Sequence, residues 1–161
     1  PPPARVRWRC YERQGWLLSG GTSVIARSRR GRRERKSAGD WVDYVDPQDS
    51  GRKVRILAEK WSGTPARWAE VAENGLRTRS KSCVKPYEQL AMTEPELAGQ
   101  PAAELEYTCG DGETKRHGVW RGVVHDGKVY SFYLSATDAK FAESKPIFDE
   151  MVKSFQLTAA G

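Results

Sequence analysis

From Gly99 to Ser135 the apolar positions recur at every second residue and break only at two Asp-Gly pairs. Alternate side chains of a strand point to the same face. Ala103, Leu105, Tyr107 and Cys109 therefore share one face of a first strand, and Glu104 and Glu106 share the other. A second strand sets His117, Val119, Arg121 and Val123 against Gly118, Trp120, Gly122 and Val124, and a third sets Tyr130, Phe132 and Leu134 against Val129, Ser131 and Tyr133. The turns Gly110-Asp111-Gly112-Glu113 and His125-Asp126-Gly127-Lys128 each suit a tight type I′ hairpin, whose two central residues need positive φ. The stretch thus predicts an antiparallel meander. Apolar residues on both faces of its last two strands predict cover on both sides of the sheet. Gly118 and Gly122 flank Trp120 on its own face, leaving room for the indole or for a neighbouring element.

Upstream, the alternation of Trp41 to Asp46, a stop at Pro47 and a return along Lys53 to Glu59 predict a hairpin turning at Gln48-Asp49-Ser50-Gly51. Thr64-Pro65 is a helix start, because the hydroxyl caps a free N–H and proline at the first helical position gives up a donor that had no partner. Trp68, Val71, Ala72 and Leu76, extended by Arg79, form its stripe, and the helix is expected to run past Asn74-Gly75 toward Ser82. Pro86 then opens a strand over Tyr87 to Thr93. Near the end, Thr137-Asp138 predicts a one-turn element through Phe141. Ser144 is expected to cap a separate last helix, with Pro146 in its first turn and Ile147, Phe148, Met151, Val152 and Phe155 as its apolar stripe. Burying those side chains is worth about 10 kcal/mol before ordering entropy is subtracted, so this helix must dock. Phe155-Gln156-Leu157 is read as a short terminal strand. Helices placed between groups of antiparallel strands describe an α+β fold with the sheet in the middle.

Composition changes this picture mainly at the N-terminal end. Residues 1–14 begin with three prolines and read as a linker end and basic arm, residues 15–157 as one domain, and residues 158–161 as a tail. Short strands are expected within residues 1–14 and over Thr22 to Ala26. The net charge of +6 is uneven: residues 1–40 hold ten Arg and Lys36 against Glu12, Glu34 and Asp40, a balance of +8, which leaves −2 for the remainder. The basic excess centres on Arg27 to Lys36. Arg29, Arg30, Arg32 and Arg33 are candidate anion contacts there, and binding of nucleic acid or an anionic surface through residues 27–36 is the alternative function, but no aromatic residue is interleaved as a stacking platform, so nucleic acid is an unfavoured partner. A solvated loop accounts for the same run, and the abrupt change at Asp40 also fits a frame-shifted reading of GC-rich text. No apolar run reaches the ~20 residues of a membrane span.

Six Trp, six Tyr and four Phe in a chain only 38% hydrophobic point to a core built from large rings. Trp61, Trp68 and Trp120 are read first in that role and second as the lining of a pocket. Cys10, Cys83 and Cys109 have no metal-ligand spacing. They read as separate thiols, with a Cys83–Cys109 bridge as the alternative. Glu104 and Glu106 are expected to pair across strands with Lys115, Arg116 or Arg121 rather than to act as a catalytic couple. His117, beside Arg116 and Arg121, is a candidate binding residue, although a solvated strand position explains it too. No nucleophile, base and orienting group assemble into a set. The chain reads as non-enzymatic and without a cofactor.

Gly99-Gln100-Pro101-Ala102-Ala103-Glu104-Leu105-Glu106-Tyr107-Thr108, then Arg116-His117, Arg121-Gly122-Val123, Tyr130, and Pro146-Ile147-Phe148-Asp149 with Val152 and Ser154-Phe155, resemble the domain that follows the catalytic region and a low-complexity linker in many actinobacterial serine/threonine protein kinases. That domain is similar in plan to the Mog1/PsbP-like α/β/α sandwiches, which include mycobacterial lipoproteins of the LpqN type. The resemblance covers residues 41–157. It departs at Cys109, where the family commonly has Trp, and before residue 41, where the family's usual first strands are not recognisable. It implies an accessory domain that senses a ligand or binds a protein partner for a kinase present in cis, with no catalytic residues to carry over. The fragment itself shows no membrane span, so the side of the membrane depends on the parent chain. Trp61, Trp68, Arg116, His117, Trp120 and Arg121 are the expected binding surface.

Overall fold

A computed structural model describes residues 17–20, 40–46 and 49–153. The elements are β1 (Leu17–Gly20), β2 (Asp40–Asp46), β3 (Asp49–Lys60), α1 (Pro65–Arg79), β4 (Tyr87–Thr93), β5 (Glu96–Leu97), β6 (Gln100–Cys109), β7 (Arg116–His125), β8 (Lys128–Thr137) and α2 (Asp138–Lys153). The strands lie in the order β1-β2-β3-β8-β7-β6-β4, with β5 paired to the start of β6, and every pairing is antiparallel. One helix packs on each face. This is the α+β sandwich that the hydrophobic pattern predicts.

The meander forms as expected at its second turn and differently at its first. Asp126 and Gly127 take φ of 48° and 69°, and β7 and β8 pair from His125↔Lys128 to Arg116↔Thr137. Between β6 and β7, Asp111 stays extended at φ −143°, and a one-turn 3-10 helix, Gly112–Thr114, lengthens the connection. A type I′ turn needs positive φ at both central residues, so this Asp-Gly pair does not make one. A hairpin with positive φ at both positions, Ala98 at 53° and Gly99 at 73°, instead joins β5 to β6. A bulge between Gln89 and Ala91 interrupts the β4 pairing and turns Leu90 to solvent.

Thr64 caps α1 by accepting from the Arg67 N–H at 3.2 Å, and the helix passes through Gly75 to Arg79. Trp68, Ala69 and Leu76 are its buried residues, whereas Val71 is exposed. The stripe is rotated from the expected one, because Ala69 rather than Val71 faces the sheet. The C-terminal text forms one helix, not two. Asp138 starts α2 and Pro146 lies inside it, while Ser144 donates to the Lys140 carbonyl at 2.6 Å and is fully buried. Ser144 is thus an interior residue and not a cap. Phe141, Phe148, Met151 and Val152 bury against Val54, Ile56, Val119, Val123, Phe132 and Leu134 on one face of the sheet. β3 begins at Asp49, earlier than its apolar alternation suggests. The described N-terminal strand is Leu17–Gly20 paired with β2. The strands expected within residues 1–14, over Thr22 to Ala26 and at Phe155 to Leu157, and the Arg-rich run with Arg29, Arg30, Arg32 and Arg33, lie outside the described residues.

Cys83 and Cys109 form a disulfide, which corrects the reading of separate thiols. It joins the loop after α1 to the end of β6.

Candidate functional site

The α1 face of the sheet is unequally covered. Trp68 lies flat over Gly122, where a Cβ would come within 2.5 Å of the indole, and the Tyr107 ring occupies the space over Gly118. The two glycines therefore seat two rings on either side of Trp120. Leu76, Leu105, Tyr107 and the disulfide complete a small core beneath the second half of the helix. Beyond Trp120, toward β8 and β3, the helix gives no cover. A cleft of about 450 Å³ opens there, within the range usual for small-molecule sites.

Its floor is aromatic. Tyr107, Trp120 and Tyr133 run across three strands, with ring centroids 5.5 Å apart for Tyr107–Trp120 and 4.8 Å for Trp120–Tyr133. Burial pushes the phenols of Tyr107 and Tyr133 up to about 12, so both stay neutral at physiological pH. Tyr133 and Ser131 share a hydrogen bond of 3.0 Å, and Ser131 also donates to the Leu57 carbonyl at 3.3 Å. One wall comes from Leu76, Ser80, Ser82 and Cys83 of α1 and its following loop; the other carries Lys53 and Arg55 of β3. At the end of the floor stands Arg116, whose Nη2 donates to the Gly51 carbonyl and, at 2.7 Å, to Ser135 Oγ. Among the described residues, no Asp or Glu lines the cleft.

The expected binding surface is divided by this geometry. Arg116 and Trp120 belong to the cleft, while Trp68 is buried in the core beside it. Trp61 is half-buried at the far end of α1, donating its indole N–H to the Thr64 carbonyl at 3.1 Å. His117 and Arg121 lie on the opposite face. His117 Nε2 is 2.8 Å from Glu106 and Nδ1 is 2.9 Å from Asp138, with the ring stacked on Phe141 at 3.4 Å between centroids. Arg121 pairs with Glu104 and, at 3.3 Å, with Asp149, and its guanidinium lies 5.5 Å from the Phe148 ring centre. Both glutamates thus find cross-strand partners, Glu104 as expected in Arg121 and Glu106 in the histidine. His117 is not a solvated strand residue, since its side chain is only 12% exposed.

The cleft residues that the alternation alone did not single out are Lys53, Tyr107, Tyr133 and Ser135. Each sits at an α1-facing position of its strand, and only strand order shows that β3, β8, β7 and β6 are neighbours. Among the described residues, no cluster of His, Cys, Asp and Glu could hold a metal ion. None of the described helices is long and apolar enough to cross a membrane.

An antiparallel sheet with a helix on each face, a disulfide beside α1 and a cleft next to that helix define an α+β sandwich domain. The family model for the serine/threonine kinase C-terminal domain matches residues 24–157, and the chain belongs to that family. As a C-terminal domain of such kinases it is an accessory, non-catalytic region. Solved structures place the fold among Mog1/PsbP-like proteins. Cyanobacterial PsbP (CyanoP) from Synechocystis sp. PCC 6803 aligns with a TM-score of 0.60 at 17% identity, over 98% of this chain and 95% of that one. LpqN, involved in cell envelope biogenesis of Mycobacterium tuberculosis, aligns at 0.56 and 13% identity, over 99% of this chain and 86% of that one. A protein of unknown function from Pseudomonas aeruginosa aligns at 0.57 and 9% identity, over 80% and 88%. At these identities the likeness is one of fold. None of the curated proteins matches the sequence.

Proposed function

We propose that this domain is a sensory or protein-interaction module of its kinase and that it takes its ligand or partner in the cleft beside α1. The observation that carries the reading is a cleft of about 450 Å³ floored by the half-buried rings of Trp120 and Tyr133, with the buried Tyr107 at its side. The part of these two rings that faces the cleft is costly to hydrate and favours an occupant. On the opposite face α2 packs over the sheet, and the contacts of His117 with Glu106 and Asp138 and of Arg121 with Glu104 and Asp149 lie beside it.

The experiment compares the chain with a Ser82→Trp variant, which places an indole in the mouth of the cleft. Fractionated cell-envelope extracts are added to both and melting is followed. A fraction that raises the melting temperature of the unsubstituted chain and not of the variant supports the reading. Equal shifts in both, or none with any fraction, overturn it.

A further inference from the structure

The charge of the cleft says what kind of occupant suits it. Lys53 and Arg116 line it from the β3 and β7 sides, and among the described residues no carboxylate lines it, although Asp49 lies close enough to Arg116 to feel its charge. Lys53 has no ion-pair or hydrogen-bond partner among the described residues. Among the described residues Arg116 is held by Nη2, through Gly51 and Ser135, which leaves Nη1 and Nε without a hydrogen-bond partner there. Of the two acids on β3, Asp49 is already engaged, accepting from the Gly51 N–H at 3.0 Å and from Lys140 Nζ at 3.0 Å, and Glu59 stands near Tyr133. Arg55 also lines the cleft but has interactions of its own. A guanidinium fixed in place with donors to spare is suited to a carboxylate or phosphate, since charge-assisted hydrogen bonds to such oxyanions are short and strong. The Ser135 hydroxyl adds a polar group beside it. From this charged end the aromatic floor leads away along Trp120 to Tyr107 and Tyr133.

We infer that the cleft binds a small molecule with an oxyanion at one end and a flat ring at the other, the oxyanion on Arg116 and Lys53 and the ring on Trp120 and its two tyrosine neighbours. The inference rests on the reading of the cleft as the ligand site and gives that ligand a chemical class. Carboxylate and phosphate present the same chemistry to the two cations.

The test uses four probes by titration calorimetry: 2-naphthoate, 2-naphthyl phosphate, the neutral 2-naphthamide and inorganic phosphate. At least one of the two naphthyl anions binds, and both the amide and inorganic phosphate bind tenfold or more weakly. Preference for one naphthyl anion assigns the source of the oxyanion. Raising salt weakens the anion and leaves the amide unchanged. Lys53→Met lowers the anion's affinity about tenfold without moving the melting temperature. Arg116→Met lowers it further, at some cost to stability through Gly51 and Ser135. Equal binding of anion and amide, or an unchanged affinity in Lys53→Met, overturns the inference. If that equal binding vanishes in Ser82→Trp, the cleft reading still stands and only its charge assignment fails. Absence of binding by all four probes overturns the oxyanion assignment, while the extract experiment tests the cleft by itself.

Discussion

The Trp68 indole of α1 rests on the bare backbone of Gly122 in β7, where a Cβ would lie 2.5 Å from Cζ3. Real Cβ atoms do not approach a ring so closely, so the helix or the strand must shift if one is added. Gly122→Ala is expected to destabilise the fold by about 1–3 kcal/mol. Urea unfolding measures this, and combining it with Trp68→Leu should recover part of the loss because the smaller side chain vacates the clash.

Cys83 and Cys109 are 26 positions apart in sequence. Closing a loop of that length restricts the unfolded chain, and the expected contribution is about 3 kcal/mol. Reductant should lower the melting temperature of the native chain and leave a Cys83→Ala/Cys109→Ala variant where it is.

His117 stands between Glu106 and Asp138, with one ring nitrogen within hydrogen-bond distance of each carboxylate. His117→Ala leaves two acids without that partner and strips Phe141 of its stacked neighbour. A loss of about 1–3 kcal/mol is expected. In a double-mutant cycle with Asp138→Asn, the two effects should fall short of additive.

Burial raises the carboxyl of Glu59 above its ordinary value of 4.5. The folded state therefore holds this proton more tightly than the unfolded chain does. That favours folding below the ordinary value and is lost as the pH rises through the folded one. Glu59→Gln is expected to be more stable than the native chain at pH 7, by under about 1 kcal/mol because the group is partly solvated. The difference should disappear at pH 4 and below, which thermal melts across that interval would show.

The alternation of the meander was enough to read three of the strands and the sandwich they imply, because a half-apolar period of two has few other uses. Thr64-Pro65 marked the α1 start for an equally local reason. Misreadings arose where distant residues decide. Pro146 looks like a helix beginning, yet α2 runs through it, since Phe141 and Phe148 both gain burial against one sheet face. Val71 and Ala69 exchange places because the seat over Gly122 fixes how α1 rolls. The cleft was legible only in part. Arg116 and Trp120 stood out by type, but pairing them with Lys53 and Tyr133 depends on β8 inserting between β3 and β7, which no local pattern encodes. The same alternation that named His117 and Arg121 also set them opposite Trp120, and their separation from the cleft follows from that face.

The disulfide has a mechanical consequence for the cleft. Cys83 stands in the wall that follows α1 and Cys109 at the end of β6, so a covalent bond clamps that wall to the floor. The facing wall on β3 has no such clamp among the described residues, and β3 continues through hydrogen bonds to β2 and β1. The β3 side is instead held by its ladder to β8 and by the Arg116 contact with Gly51, so the two sides of the cleft are fastened by different kinds of bond, one covalent and broken by reductant, the other not.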